Sequence, residues 1–243
     1  MKRRAVLAQA RAELLMQLRR GENLVVTLAI PLGVLVFFAK VDTVSADGYD
    51  QPLDFLVPGV LALAVMAAAM VSLGIATGFE RRYGVLKRLG ATPLSRAGLL
   101  GAKTLTVVIL ELIQIALIVG IGSLLGWSIP PGLPLALGCL LLGTVAFAGV
   151  GLLMAGTLRA EANLAAANGL FLVLLFLGGM AYPLDRLPDG IAAVARLLPA
   201  AALSETVRTA LTAGPFASGE LVVLVVWAIG APLAAARWFS WEE

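Results

Sequence analysis

The chain has 243 residues, 60% of them hydrophobic and only 14% charged, with a mean hydropathy of +0.96. A soluble domain of this length would carry about a quarter charged residues, and so much apolar surface cannot all be packed into one core, which leaves lipid as its solvent. Net charge is a modest +3, histidine is absent and Cys139 is the lone cysteine, so an internal disulfide framework and a Cys/His metal site are both excluded.

The chain opens Met1-Lys2-Arg3-Arg4 without a short apolar core and small-residue cleavage site, so a cleaved signal peptide is not expected. Residues 2–20 are polar enough to lie outside a bilayer. Leu7, Leu14 and Leu18 share one helical face there, bordered by Arg4 and Arg11. This segment reads either as an interfacial helix with its basic residues on anionic head groups, or as a basic leader that only sets orientation.

Six apolar stretches follow, at residues 24–39, 55–79, 104–126, 133–158, 162–181 and 221–236. Each reaches or approaches the ~20 helical residues that cross a hydrocarbon layer of about 30 Å. The first and last contain Pro31 and Pro232 and can lengthen into their flanks.

Orientation follows from the basic residues. Lys2, Arg3, Arg4, Arg11, Arg19 and Arg20 precede the first stretch, and Arg81, Arg82, Lys87, Arg88, Arg96 and Lys103 lie around the loop between the second and third. With Arg159 and Arg237 that places fourteen on one side, against Lys40, Arg186, Arg196 and Arg208 on the other. The second side instead carries Asp42, Asp47, Asp50, Asp54, Asp185, Asp189, Glu205 and Glu220. Both termini are therefore expected in the cytoplasm, in a multi-pass protein of the cell (plasma) membrane.

An ATP engine is not visible. The nearest approach to a phosphate-binding loop, Gly98-Leu-Leu-Gly101-Ala102-Lys103-Thr104, has alanine where glycine must precede the lysine, and it runs into a span. Nucleophilic chemistry fares no better, since Ser72 and Ser123 have no lysine in reach and no two aspartates share the spans. No catalytic, cofactor-binding or metal residue is assigned. Glu111 is the one acid well inside a span, with Gln114 three residues on. It reads either as a substrate or proton contact, or as a carboxylate that locks packing by pairing with Gln114 or a neighbouring helix.

Between the second and third spans runs Phe79-Glu80-Arg81-Arg82-Tyr83-Gly84-Val85-Leu86-Lys87-Arg88-Leu89-Gly90-Ala91-Thr92-Pro93-Leu94-Ser95-Arg96. It predicts a short helix with Tyr83, Leu86 and Leu89 as an apolar ridge, ended by Gly90, with Thr92 and Pro93 starting the next helix as cap and first residue. A basic turn that only fixes topology is one reading. An apolar ridge facing water favours the other, a docking element.

This loop resembles that of ABC-2 type transporter permeases, including daunorubicin-exporter-like membrane subunits. The shared pattern is Glu80, Gly84, the leucine positions 86 and 89, and Thr92-Pro93-Leu94-Ser95. Where the family often has glutamate after the first leucine-like position, this chain has Lys87.

A second stretch agrees, with Tyr182-Pro183, Pro188, Leu198-Pro199, Glu205, Arg208 and Gly214 following the family's series between spans five and six. Read alone, Ile191, Val194, Ala195 and Leu198 recur at helical spacing until Pro199 interrupts them. Two short re-entrant helices, or a surface-lying helix, are the readings.

The resemblance implies an all-α integral membrane fold of six transmembrane helices. To these it adds an N-terminal interfacial helix, a cytoplasmic coupling helix within residues 80–96 and outer re-entrant helices within residues 183–214. It implies an export permease, expected to be bacterial, that moves a lipophilic or amphiphilic cargo. ATP and magnesium would sit on a separate ATPase subunit, and a second permease copy or homologue would complete the assembly; no nucleic acid is expected. Glu80, Arg81, Arg82, Tyr83, Gly84, Leu86, Lys87 and Leu89 would couple to the ATPase, Glu111 and Gln114 would line a pathway, and Pro183, Pro188, Pro199 and Arg208 would form the outer gate. An ion-coupled secondary transporter or channel, or a membrane scaffold without transport, are the other classes.

Overall fold

The computed structural model describes residues 2–19, 21–40, 51–90, 95–180, 183–212 and 215–241, and every regular element among them is helical. The expectations for Arg20, Asp42, Asp47, Asp50, Thr92, Pro93, Tyr182, Gly214 and the Leu18 side chain lie outside the described residues.

Helices α1 (Lys2–Arg19) and α2 (Gly21–Lys40) open the chain. The second span is α3 (Pro52–Met66), a π-helical segment (Ala67–Ser72) and α4 (Leu73–Arg82) in one run, followed by the short α5 (Val85–Gly90). Then come α6 (Arg96–Leu124), α7 (Leu133–Thr157) and α8 (Ala160–Leu177). A short 3-10 turn (Leu184–Arg186) leads to α9 (Asp189–Ala195), α10 (Pro199–Leu211) and the closing α11 (Ser218–Trp238).

Five helices are long and apolar enough to cross a membrane: Pro52–Arg82, Ala97–Leu124, Leu133–Thr157, Ala160–Leu177 and Ser218–Trp238. Helix α2 has 20 residues, which at 1.5 Å per residue also matches the hydrocarbon thickness, and its stretch Ala29–Lys40 is apolar. Helices α9 and α10 meet at 86°, a sharply bent pair. Pro199 makes that corner, opening α10 at a position where its missing N–H is not needed.

Helix α7 is the centre. It packs against α11 most extensively, and also against α4, α10, α3 and the π segment. Hydrocarbon gives helices no hydrophobic reason to associate, so close shape fit has to do so. Small residues supply it. A methyl on Gly151 would lie 2.5 Å from the Met70 carbonyl oxygen, and one on Gly149 would lie 2.5 Å from the Pro232 nitrogen. Gly74 meets the Gly151 backbone and Gly78 meets the Asn163 side chain, so both serve contacts within this chain.

The N-terminal helix packs on α6 by its small and acidic residues. Leu7 is 59% exposed, whereas Ala10 and Glu13 face inward against α6, where the Thr106 hydroxyl donates to the Ala10 carbonyl at 3.2 Å. The reason is electrostatic: Glu13 turns toward a buried lysine described below, and the apolar Leu7, Leu15 and Met16 are left on the outside.

Overpacking a helix contact of this closeness costs about 1–3 kcal/mol. Gly151→Leu is therefore expected to lower the unfolding temperature in detergent markedly. Gly169→Leu, at a helical position with open space around it, is expected to leave it unchanged.

Candidate functional site

Lys103 organises the basic end of the bundle. It is 2% exposed, and its Nζ lies 2.6 Å from Glu80 Oε2 and 3.1 Å from Glu13 Oε1. Gln9 Nε2 donates to the same Glu13 oxygen at 2.8 Å. An unpaired buried ammonium is prohibitively costly, so one cation with two carboxylates holds α1, α4 and α6 together. Glu80 is thus turned inward to a partner in its own chain. Sequence reasoning counted Lys103 only as an orienting charge; its position eight residues into an apolar helix was the available signal.

The two arginines after Glu80 divide. Arg81 is buried, and its Nη1 donates to the Ala155 carbonyl at 2.5 Å, among the last carbonyls of α7 that have no partner within the helix. Arg82 is half exposed and pairs with Glu161 at the start of α8. Helix α4 is in this way fastened to both neighbours just before the turn into α5.

The turn itself is Tyr83-Gly84, with Gly84 at φ 70°, a backbone conformation favoured by glycine alone. Tyr83 is 67% exposed and its ring stacks on Phe79 with centroids 6.2 Å apart. The expected outward ridge of Tyr83, Leu86 and Leu89 is not the one that forms. Leu86 is fully buried in the core and Leu89 packs partly against it, because a six-residue helix lying on the bundle must bury one side. The outward surface is Tyr83, Val85, Lys87 and Arg88. The next described helix starts at Arg96, where Ser95 Oγ accepts from the Gly98 N–H at 3.1 Å as its cap.

Within the bundle, Glu111 is 1% exposed and accepts from the Thr144 hydroxyl of α7. Its other oxygen has no partner among the described residues. Gln114 is buried on the same helix. Glu111 thus links α6 to α7. Among the described residues no three metal-ligating side chains gather.

At the opposite end, Pro183 precedes the 3-10 turn, Pro188 caps α9 and Pro199 opens α10. Arg208 on α10 is 3% exposed. Its Nη2 donates to the Gly179 carbonyl at 2.5 Å, its Nη1 pairs with Glu205, and its guanidinium lies 4.4 Å from the centre of the Phe55 ring. One side chain therefore links α10 to the end of α8 and the start of α3. Beside it a polar cavity of about 210 Å³ is lined by Asp185, Arg196, Glu205 and Glu220. Of the exposed apolar residues on the re-entrant pair, Ile191, Val194 and Leu197 point outward, while Ala195 is buried.

Halfway along the bundle, an apolar groove of about 250 Å³ runs between α2, the π segment and α8, lined by Ile30, Pro31, Ala67, Val71 and Phe171. The π segment gives span two one extra residue in its turn at this groove, a distortion that recurs at functional positions.

Removing Lys103 leaves two carboxylates facing each other, and breaking such a buried group costs about 3–5 kcal/mol. Lys103→Met is expected to lower the unfolding temperature in detergent and to expose α1 to limited proteolysis, with Glu80→Gln milder because Glu80 is partly solvated. Arg208→Lys keeps the charge but loses the fork, and each hydrogen bond to a charged group is worth about 1.5–3 kcal/mol. That variant is expected to unfold earlier than Arg196→Lys, whose parent residue is exposed.

Comparison with known proteins adds one match. The family model described as ABC-2 type transporter matches residues 4–212, the region from α1 through the re-entrant pair. A search of curated proteins gives no match. A match over most of the chain, together with a helical bundle whose described residues include five helices long and apolar enough to cross a membrane and one sharply bent pair, places this chain in the ABC-2 type transporter family, as a membrane-spanning subunit that is not itself the catalyst.

Proposed function

We propose that this chain is the permease subunit of an ABC exporter. A separate cassette ATPase carrying ATP and magnesium drives it, and it works beside a second permease copy or homologue in the plasma membrane of a bacterium. Both termini lie in the cytoplasm, where the positive-inside rule puts the end rich in Lys and Arg. The observation that carries the reading is the wiring of α5. Tyr83, Val85 and Arg88 are exposed on its outward side, while Leu86 fixes it to the core and Glu80, Arg81 and Arg82 tie its root to four other helices.

A push on α5 reaches α1 and α6 through Lys103, α7 through Arg81 and α8 through Arg82. The groove beside the π segment lies between α2 and α8, and its apolar lining suits a lipophilic or amphiphilic cargo. Cargo leaves past the bent pair α9 and α10, whose second helix Arg208 ties to the end of α8 and the start of α3. Glu111, a single acid already engaged with Thr144, supports packing over ion coupling.

The test uses the chain reconstituted with its cassette ATPase. Tyr83→Ala combined with Arg88→Glu is expected to reduce ATPase binding and cargo-stimulated hydrolysis about tenfold or more, as loss of ~1.4 kcal/mol or more at a docking surface would. Its unfolding temperature is expected to stay at the parent value. Leu86→Asp should instead fail in folding. Normal binding and export by the surface variant would overturn the docking role, and export driven by a proton gradient without any ATPase would select a secondary transporter.

A further inference from the structure

A second groove lies away from the proposed cargo path. It opens between α6, α7 and α11, has a volume of about 510 Å³ and is lined by Leu100, Gly101, Val108, Val145, Leu152 and Leu233, among others. The one hydroxyl in its wall, Thr104, already donates to the Leu100 carbonyl at 3.0 Å, so nothing in the groove calls for water. Gly101 faces open space, since a methyl placed there would meet nothing within 4 Å. A hollow of this size is in the range that holds a drug-sized apolar molecule, about 300–1,000 Å³.

Its position in the bilayer is set by the helices that form it. Residues 97–108 are the first turns of α6, residues 145–152 lie in the second half of α7, and residues 232–236 are the last turns of α11. All three belong to the basic end, so the groove spans one leaflet only. Arg237 follows directly on the wall residue Ala236 and is exposed, and Trp238 beside it is 62% exposed. A cation and an indole at the end of a span are the residues that meet the head-group layer.

We infer that this groove holds an acyl chain of an anionic phospholipid from the leaflet at the basic end, with Arg237 at its head group. The groove wall is apolar, and the exposed Arg237 that follows it at the end of α11 offers a cation to a head group. The inference needs only that the chain crosses a bilayer, and it stands or falls independently of the cargo and of the ATPase.

The test places the purified chain in phosphatidylcholine nanodiscs with a minor fraction of a lipid bearing a photoactivatable diazirine in its acyl chain. One arm uses phosphatidylglycerol, the other phosphatidylcholine. Adducts are mapped by peptide mass spectrometry. Adducts are expected to concentrate on residues 97–108 and 232–236 relative to the exposed α8 face at Leu172, Val173 and Phe176, which samples bulk lipid. One basic residue adds about a fivefold preference for the anionic head group. Arg237→Gln is expected to remove that preference while leaving the labelling. Gly101→Phe, or Leu233→Trp at an exposed wall position, is expected to abolish groove labelling without changing the α8 signal in the same sample. Groove peptides labelled no more than α8 would overturn the site. Equal labelling by the two lipids would overturn the anionic assignment, and cross-links from the groove to a second copy would replace lipid with a protein occupant.

Discussion

Between helices surrounded by hydrocarbon, water-driven burial contributes little, and contact has to come from shape and from a few polar bonds. The arrangement around α7 follows from that constraint. Gly149 and Gly151 let two other backbones approach to distances that any side chain would forbid. The polar bonds that cross between helices are then placed near the two ends and at one mid-membrane point, where Thr144 meets Glu111. Asn163 adds one more, donating to the Gly74 carbonyl at 2.8 Å on the same face where the glycines pack.

The two ends are built on one plan with different charges. At the basic end a lysine is enclosed by two carboxylates, and at the other an arginine is enclosed by a carboxylate, a carbonyl and an aromatic face. Each holds three pieces of chain that are distant in sequence. Such ties break sharply when one member is removed, because the group left behind is a buried charge.

The spans were legible in the sequence because twenty or so apolar residues in a row have few other uses, and the re-entrant pair because prolines mark its corners. The family was legible in the Glu80-to-Ser95 motif. The roles of individual residues in that motif were not. Periodicity placed Leu86 on a ridge but could not say which side of a six-residue helix would face the bundle. Glu80 read as an exposed charge because its partner, Lys103, is 23 residues away, inside what hydropathy counts as a span. The pairing of Glu13 with Lys103, which turns α1 toward α6, was not read from the sequence either. Long-range pairing decides each of these, and spacing along one segment carries no record of it.

Gly84 shows how such a site can mislead. It sits beside the outward surface of α5, yet a methyl there would touch nothing, and its restriction comes wholly from its own positive φ. Any other residue would cost about 1–2 kcal/mol in the backbone before a partner is considered. Over generations of drift, selection on the turn would keep this glycine fixed, and a map of invariant surface positions would paint it as part of a docking surface. Invariance at that position would record the geometry of a bend and say nothing about what docks beside it.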